Sequence, residues 1–164
     1  MTDQRIGQGV DAHRFSDGRQ WWLCGCEIAG CTGLDGHSDA DVALHAVADA
    51  LLGAIGGGDL GEHFPDTDER WRDQPSRNLV GRVMGMMAEA GAELVNCDLT
   101  LIGEQPRIAP MRERLRASLA EVLQVAVDQV SVKATSTDGM GWLGRGEGLA
   151  AMAVVLVRGR CWRG

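Results

Sequence analysis

The sequence predicts an α+β protein, an α/β sandwich in which one mixed β-sheet of about four main strands carries helices packed on one face. Three observations predict it. Strand-like and helix-like segments alternate along the 164 residues. Three segments repeat apolar residues at helical spacing between capping and breaking residues. The run 149–157 is almost wholly apolar, as in a central strand buried on both faces. The length suits a single domain over 1–164 with a proper core. With two Phe and no Tyr, that core has to be aliphatic and methionine.

The elements follow in order. A short first strand spans 5–10. A second spans 21–28, entered through the polar turn Ser16-Asp17-Gly18. Ser38 offers an N-cap, with Asp41 three residues on as a capping-box variant. Val42, Leu44, His45, Val47, Ala48, Leu51 and Leu52 follow at helical spacing, and Gly56-Gly57-Gly58 stops the helix. Rich in Asp, Gly and Pro, 59–74 reads as a loop and a candidate mobile lid. Ser76 caps a second helix with Leu79, Val80, Val83, Met84 and Met87 on its apolar face, ending at Gly91. Segment 94–102 reads as a strand. Pro110 opens a third helix with Met111, Leu115, Leu119, Val122 and Leu123 on one side. A strand at 130–135, a glycine-punctuated loop at 139–148 and the apolar strand complete the order, leaving 158–164 as a tail.

A net charge of −7 and a pI near 5.0 argue against general affinity for nucleic acid or an anionic membrane surface. No apolar run reaches the roughly 18 residues of a membrane span. The N-terminus has no apolar signal region, so a cytoplasmic protein is expected. Cys24, Cys26, Cys31, Cys97 and Cys161 are an odd number, and reduced thiols are the expectation. Cys24-Gly25-Cys26 with Cys31 lacks the usual C-x2-C spacing of a thiolate metal site, so small packing residues are the better reading.

The chemistry begins at Asp11-Ala12-His13. An Asp and a His two apart point the same way on an extended segment. A helix starting near Ser38 would carry His45 on its second turn. Two imidazoles and a carboxylate leave the fourth position of a tetrahedral zinc open, the pattern of a catalytic site. A histidine on a helix is also commonly a packed or surface residue. Asp41 and Asp49 lie one turn to either side of His45 and could orient it from behind. His37-Ser38 at the helix start can hold an anion, or Ser38 can simply cap. Gly57-Gly58-Asp59-Leu60-Gly61 suits a helix-to-loop turn or ribose hydroxyls, and Phe64-Pro65-Asp66-Thr67-Asp68 a solvated turn. Thr135-Ser136-Thr137-Asp138 offers three hydroxyls at a strand end for phosphate oxygens and a carboxylate for a hard cation such as Mg²⁺, or else forms a plain turn. Arg145 and Glu147, bordered by glycines, can form a buried ion pair.

Together these motifs resemble the 2-C-methyl-D-erythritol 2,4-cyclodiphosphate synthase family. The match runs over about 5–157. It rests on Arg5-Ile6-Gly7-Gln8-Gly9-Val10-Asp11-Ala12-His13, on His37-Ser38-Asp39-Ala40-Asp41-Val42-Ala43-Leu44-His45, and on Gly58-Asp59-Leu60-Gly61 with Phe64-Pro65-Asp66-Thr67-Asp68. Val132-Lys133-Ala134-Thr135 and Gly144-Arg145-Gly146-Glu147-Gly148 complete it. The resemblance implies a lyase that turns a cytidine diphosphate-linked erythritol 2-phosphate into a cyclic diphosphate and CMP. It implies a homotrimer with active sites between subunits, and a channel along its axis that in some members takes an isoprenoid diphosphate. Carried over, Asp11, His13 and His45 bind zinc and the first two also meet substrate. His37 and Ser38 contact the phosphates and the erythritol part. Asp59, Leu60 and Gly61 hold ribose, while Phe64, Pro65, Asp66, Thr67 and Asp68 close over the erythritol part. Gly103, Glu104, Gln105, Pro106, Arg107, Ile108 and Ala109 line the cytosine pocket. Thr135, Ser136, Thr137 and Asp138 hold the diphosphate, with Asp138 on Mg²⁺ or Mn²⁺. His37, Ser136 and Asp138 are the catalytic candidates, Trp142 forms an aromatic wall, and Arg145 and Glu147 match the channel mouth. The chain departs from the family at Asp138 (usually Glu), Ser136 (Thr), Trp142 (Phe) and Arg107 (often Lys).

Overall fold

A computed structural model describes residues 2–30, 32–65, 67–71 and 74–160. Asp66, Cys31, Cys161 and the end of the expected tail at 161–164 lie outside the described residues. The strands are β1 (Thr2–Asp17), β2 (Trp21–Leu23), β3 (Cys26–Ile28), β4 (Thr32–Leu34), β5 (Ala92–Ile102), β6 (Val130–Thr135) and β7 (Gly148–Arg160). The helices are α1 (Val42–Ile55), α2 (Leu60–His63), α3 (Ser76–Glu89), α4 (Arg112–Leu123) and α5 (Gly141–Gly144).

Five strands form the main sheet in the order β4-β1-β7-β5-β6. Only the β5–β6 pair is parallel, because α4 carries the chain back between them. The sheet is therefore mixed, as expected, with one strand more than the four read from sequence. Segment 21–28 is not one strand. It is a hairpin, β2–β3, forming a separate two-stranded sheet. Its turn residues Cys24 and Gly25 both have positive φ, 54° and 75°, the backbone of a tight primed turn.

β1 alternates, and its inward residues include Gly7, Gly9, Asp11 and His13, the first two buried and the others half-buried. A Cβ on Gly7 would collide with the carbonyl oxygen of Ala50, and one on Gly9 with that of Ala46. The two glycines let α1 lie directly on the strand, with Ala46, Ala50 and Ala54 fully buried against it or nearly so. α3 packs on α1 and on α4. The core between helices and sheet is Leu, Val, Ala, Ile, Met and Cys with Trp21, without Tyr or fully buried Phe.

β7 lies in the middle of the sheet, where the apolar run placed it, but it is not covered on both faces. Ala151, Ala153 and Val155 are fully buried while Met152 and Val154 remain exposed. Ile6 (71% exposed) and Val10 (57%) on β1 extend this apolar outer face. The strand also continues past Val157 to Arg160.

Candidate metal centre and active site

Asp11 and His13 come from β1 and His45 from α1, so the close seating of that helix brings the three together. Asp11 Oδ2 lies 2.8 Å from His13 Nε2 and 3.0 Å from His45 Nδ1. The two imidazole nitrogens are 3.1 Å apart. Their donor atoms all lie within 4.8 Å of one another, the one such cluster among the described residues. Burial alone would raise the Asp11 pKa, but hydrogen bonds and charge from His13 and His45 hold it well below the usual carboxylate range. Burial would lower that of His13, and the Asp11 carboxylate outweighs it and raises it.

The far side of each ring is also held. His13 Nδ1 donates to the carbonyl oxygen of Asp35 over 2.6 Å, which turns the Nε2 lone pair toward Asp11. His45 Nε2 faces Ser76 Oγ at 2.9 Å and Ser38 Oγ at 3.1 Å. Ser76 donates in turn to Asp39, in a short contact. Three lone-pair atoms converging on one point repel one another unless a proton or a cation lies between them. That donor chemistry fits a divalent metal with one or more open positions.

The orienting groups are not those expected. Asp41, fully buried, is the N-cap of α1 and accepts from Leu44 N, Cys24 N and Gly25 N. It therefore fixes the hairpin to the helix, and burial pushes its carboxyl up to about 6. Ser38 does not cap α1. Its hydroxyl accepts from Ala40 N and faces His45. Asp49 accepts from Leu60 N over 2.7 Å and so ties α2 to α1. Ser76 is not a cap either. It is the first residue of α3, behind Pro75. No signal in the sequence marked Ser76, Asp39 or the Asp35 carbonyl as partners of the two histidines.

The centre opens on two contiguous clefts of about 210 and 510 Å³. His37, Ser38, Leu60, Phe64, Asp68, Trp71 and Leu79 line one, and Asp49, Gly61 and Pro65 join the other. Trp71 and Leu79 are additions to the expected set. The expected loop is partly built. Asp59 caps α2 by accepting from Glu62 N, a 3-10 turn covers Glu69–Trp71, and Phe64 meets Trp71 edge-on with centroids 5.0 Å apart. Arg82 lies over the same Trp71 ring at 4.9 Å.

The second half of the expected site lies elsewhere. None of 103–109, 135–138, Trp142 or Arg145 lines either cleft. Asp11 pairs across the sheet with Ala151, Ala151 with Leu101, and Leu101 with Ala134. Three strand spacings separate the ends of that row, about 14 Å. Thr135 belongs to the adjacent row through Ile102, Ala150 and Ala12, on the opposite, outer face. Ser136 Oγ donates to Asp138 Oδ1 (3.3 Å), the Ser136 carbonyl accepts from Thr135 Oγ1 (3.2 Å), and Asp138 has φ 52°. Arg145 and Glu147 do pair, at 2.6 Å, but on the surface rather than buried. Cys24 and Cys97 are buried and Cys26 half-buried, all free, with no thiolate metal cluster among the described residues. Burial raises the pKa of both Cys24 and Cys97, the latter to about 12.

Among the described residues no helix is long and apolar enough to cross a membrane. The chain is 54% identical over 153 residues to the bifunctional enzyme IspD/IspF of Caulobacter vibrioides, covering 93% of this chain but 40% of that one. It thus spans well under half of that relative. It is 52% identical to 2-C-methyl-D-erythritol 2,4-cyclodiphosphate synthase of Geobacillus kaustophilus, covering 94% of this chain and 98% of that one. A solved 2C-methyl-D-erythritol-2,4-cyclodiphosphate synthase, in a form bound to CDP, superposes with a TM-score of 0.86 at 38% identity over 93% of this chain and 99% of that one. The YgbB family matches residues 4–158, and the chain belongs to it.

Proposed function

We propose that the chain converts 4-diphosphocytidyl-2-C-methyl-D-erythritol 2-phosphate into 2-C-methyl-D-erythritol 2,4-cyclodiphosphate and CMP. It would do so as a phosphorus–oxygen lyase of non-mevalonate isoprenoid biosynthesis in the cytoplasm, with 1–164 as one catalytic domain. The observation that carries the reading is the Asp11/His13/His45 donor set opening on a cleft lined by His37 and Ser38. The named relatives supply the substrate.

In the reaction an oxygen of the 2-phosphate attacks the β-phosphorus. The bond from that phosphorus to the bridging oxygen of the α-phosphate breaks, and CMP departs with that oxygen. Atoms balance without water or a protein nucleophile, so the buried thiols need no part. Both reacting groups are anionic. Zinc on Asp11, His13 and His45, with Mg²⁺ or Mn²⁺ on Asp138, would supply the positive charge that lets them approach. His37 and Ser38 hold the 2-phosphate end while Thr135, Ser136 and Thr137 hold the diphosphate by hydroxyl hydrogen bonds. Holding both ends of one molecule makes the attack intramolecular. Asp59, Leu60 and Gly61 take the ribose, 103–109 the cytosine, and 64–68 with Trp142 close over the remainder.

These two groups of residues meet between subunits of a homotrimer. Two observations support this: the separation of Asp11 from the 135–138 row within one chain, and the exposed apolar face of Ile6, Val10, Met152 and Val154. Arg145 would stand at the mouth of the resulting channel, where an isoprenoid diphosphate is a further candidate ligand. The test is CMP release from the cytidyl substrate in ¹⁸O-water, with and without Mg²⁺ and chelator. Metal-dependent CMP release with an unlabelled product is expected. Label in the product would instead mean hydrolysis by a metal-bound water and would overturn the reading.

A further inference from the structure

His45 presents Nδ1 to Asp11 and His13, and something must keep a proton off that atom for it to serve as a donor. Ser76, wholly buried, supplies the constraint. A hydroxyl has one proton, and Ser76 directs it to Asp39, whose second oxygen accepts from Ser76 N over 3.0 Å. Toward His45 Nε2, 2.9 Å away, the same oxygen can then only accept. Ser76 thus favours the ring proton on Nε2, leaving the Nδ1 lone pair facing the cluster, against the pull of the Asp11 carboxylate 3.0 Å from Nδ1. His13 reaches the same end by the opposite nitrogen, since the Asp35 carbonyl can only accept from Nδ1. The two histidines thus use different ring atoms, each selected from behind.

We propose that Ser76 and Asp39 are positioning residues that fix His45 as the tautomer protonated at Nε2, and so as an Nδ1 metal donor. The inference rests on the metal reading of the site given above. Ser38 Oγ is a weaker contributor. It lies 3.1 Å from Nε2, farther than Ser76, and accepts from Ala40 N; its own proton, if given to Nε2, would favour the other tautomer, so Ser38→Ala separates its effect from that of Ser76. The chain of contacts also joins the first residue of α3 to the centre, directly after the segment that closes one side of the cleft.

Two readouts test the proposal without turnover. Long-range ¹H–¹⁵N correlation spectra of the metal-free, ¹⁵N-labelled protein above the His13 pKa report each histidine's tautomer. The wild type is expected to show His45 protonated at Nε2 and His13 at Nδ1. Co²⁺ titration, followed by its visible absorption, reports the donor set. Ser76→Ala should mix the His45 tautomers, leave His13 unchanged and weaken Co²⁺ binding about 10- to 100-fold. Ser76→Thr, which keeps the hydroxyl, should restore both. Asp39→Asn should produce a smaller change in the same direction. A wild-type His45 protonated at Nδ1 overturns the proposal whether or not the variants fold. So does a folded Ser76→Ala with unchanged tautomer and affinity, or a Ser38→Ala that reproduces a loss Ser76→Ala does not show. A wild type with the expected tautomers that binds neither Co²⁺ nor Zn²⁺ supports the tautomer assignment and overturns the metal reading instead.

Discussion

Asp11, His13 and His45 are half-buried, each held by at least two partners on elements that are themselves pinned to the core. Segment 135–138, by contrast, leaves the edge strand β6 and faces outward, and its side-chain hydrogen bonds stay within its own turn. One region is held by contacts from several elements, and the other is held, among the described residues, only by bonds within its own turn. On the proposed function these are two half-sites of unequal finish: the rigid one would hold one phosphate, and the open one would act only against a neighbouring subunit.

Complementation tests whether the two regions act across an interface. His45→Ala and Asp138→Ala should each lower turnover on the order of 10³-fold. Trimers mixed from equal amounts of the two variants should regain about a quarter of wild-type activity, because that share of interfaces pairs two intact halves. Mixing without recovery would place both halves in one chain. A second effect falls on the finished half alone. Asp41→Ala removes the α1 cap and strands the Cys24 and Gly25 N–H groups. It should cost about 2–4 kcal/mol in urea unfolding.

The third effect is a pH dependence. His13 titrates above its ordinary 6.5, so protons compete with metal below its folded value, and affinity should weaken about tenfold per pH unit there. In the metal-free protein the signs differ between partners. The raised His13 stabilises the fold below 6.5 and loses that contribution as pH rises through its folded value. Asp11, held low, contributes above 3.8 and loses its contribution as pH falls toward its depressed value. Zinc competition at several pH values and thermal melts of the chelated protein check the two directions. The smallest effect belongs to the open half. Asp138→Glu adds a methylene to an exposed side chain and should change kcat/KM by less than about tenfold, with a shifted Mg²⁺ dependence.

Much of this was legible in the sequence. The period-2 pattern of Asp11-Ala12-His13 and the helical spacing through His45 gave the cluster, and β6 has the bounds read for it. The start of α1 was misplaced by three residues because Ser38 and Asp41 are both good capping residues. Tertiary contact with the hairpin turn decides between them. The 21–28 hairpin escaped notice because Cys24-Gly25 is an uncommon pair for a turn with two positive φ values. The wrong orienting partners were named for His45 because Asp41 and Asp49 neighbour it in sequence. Ser76 reaches it only through the packing of α3 on α1, which no periodicity encodes. The exposed face of β7 is not legible in the sequence because an apolar run looks the same whether one face of a strand is covered or both.

Gly7 and Gly9 also set the spacing of the donor cluster. Because α1 rests on β1 main chain against main chain, the gap between the strand-borne donors and His45 is set by peptide geometry rather than by side-chain volume. Core substitutions elsewhere can swell or shrink the sandwich while that gap stays put. The frame is thus a fixed-gauge mount: the side chains at Asp11, His13 and His45 can be exchanged without re-registering the elements that carry them.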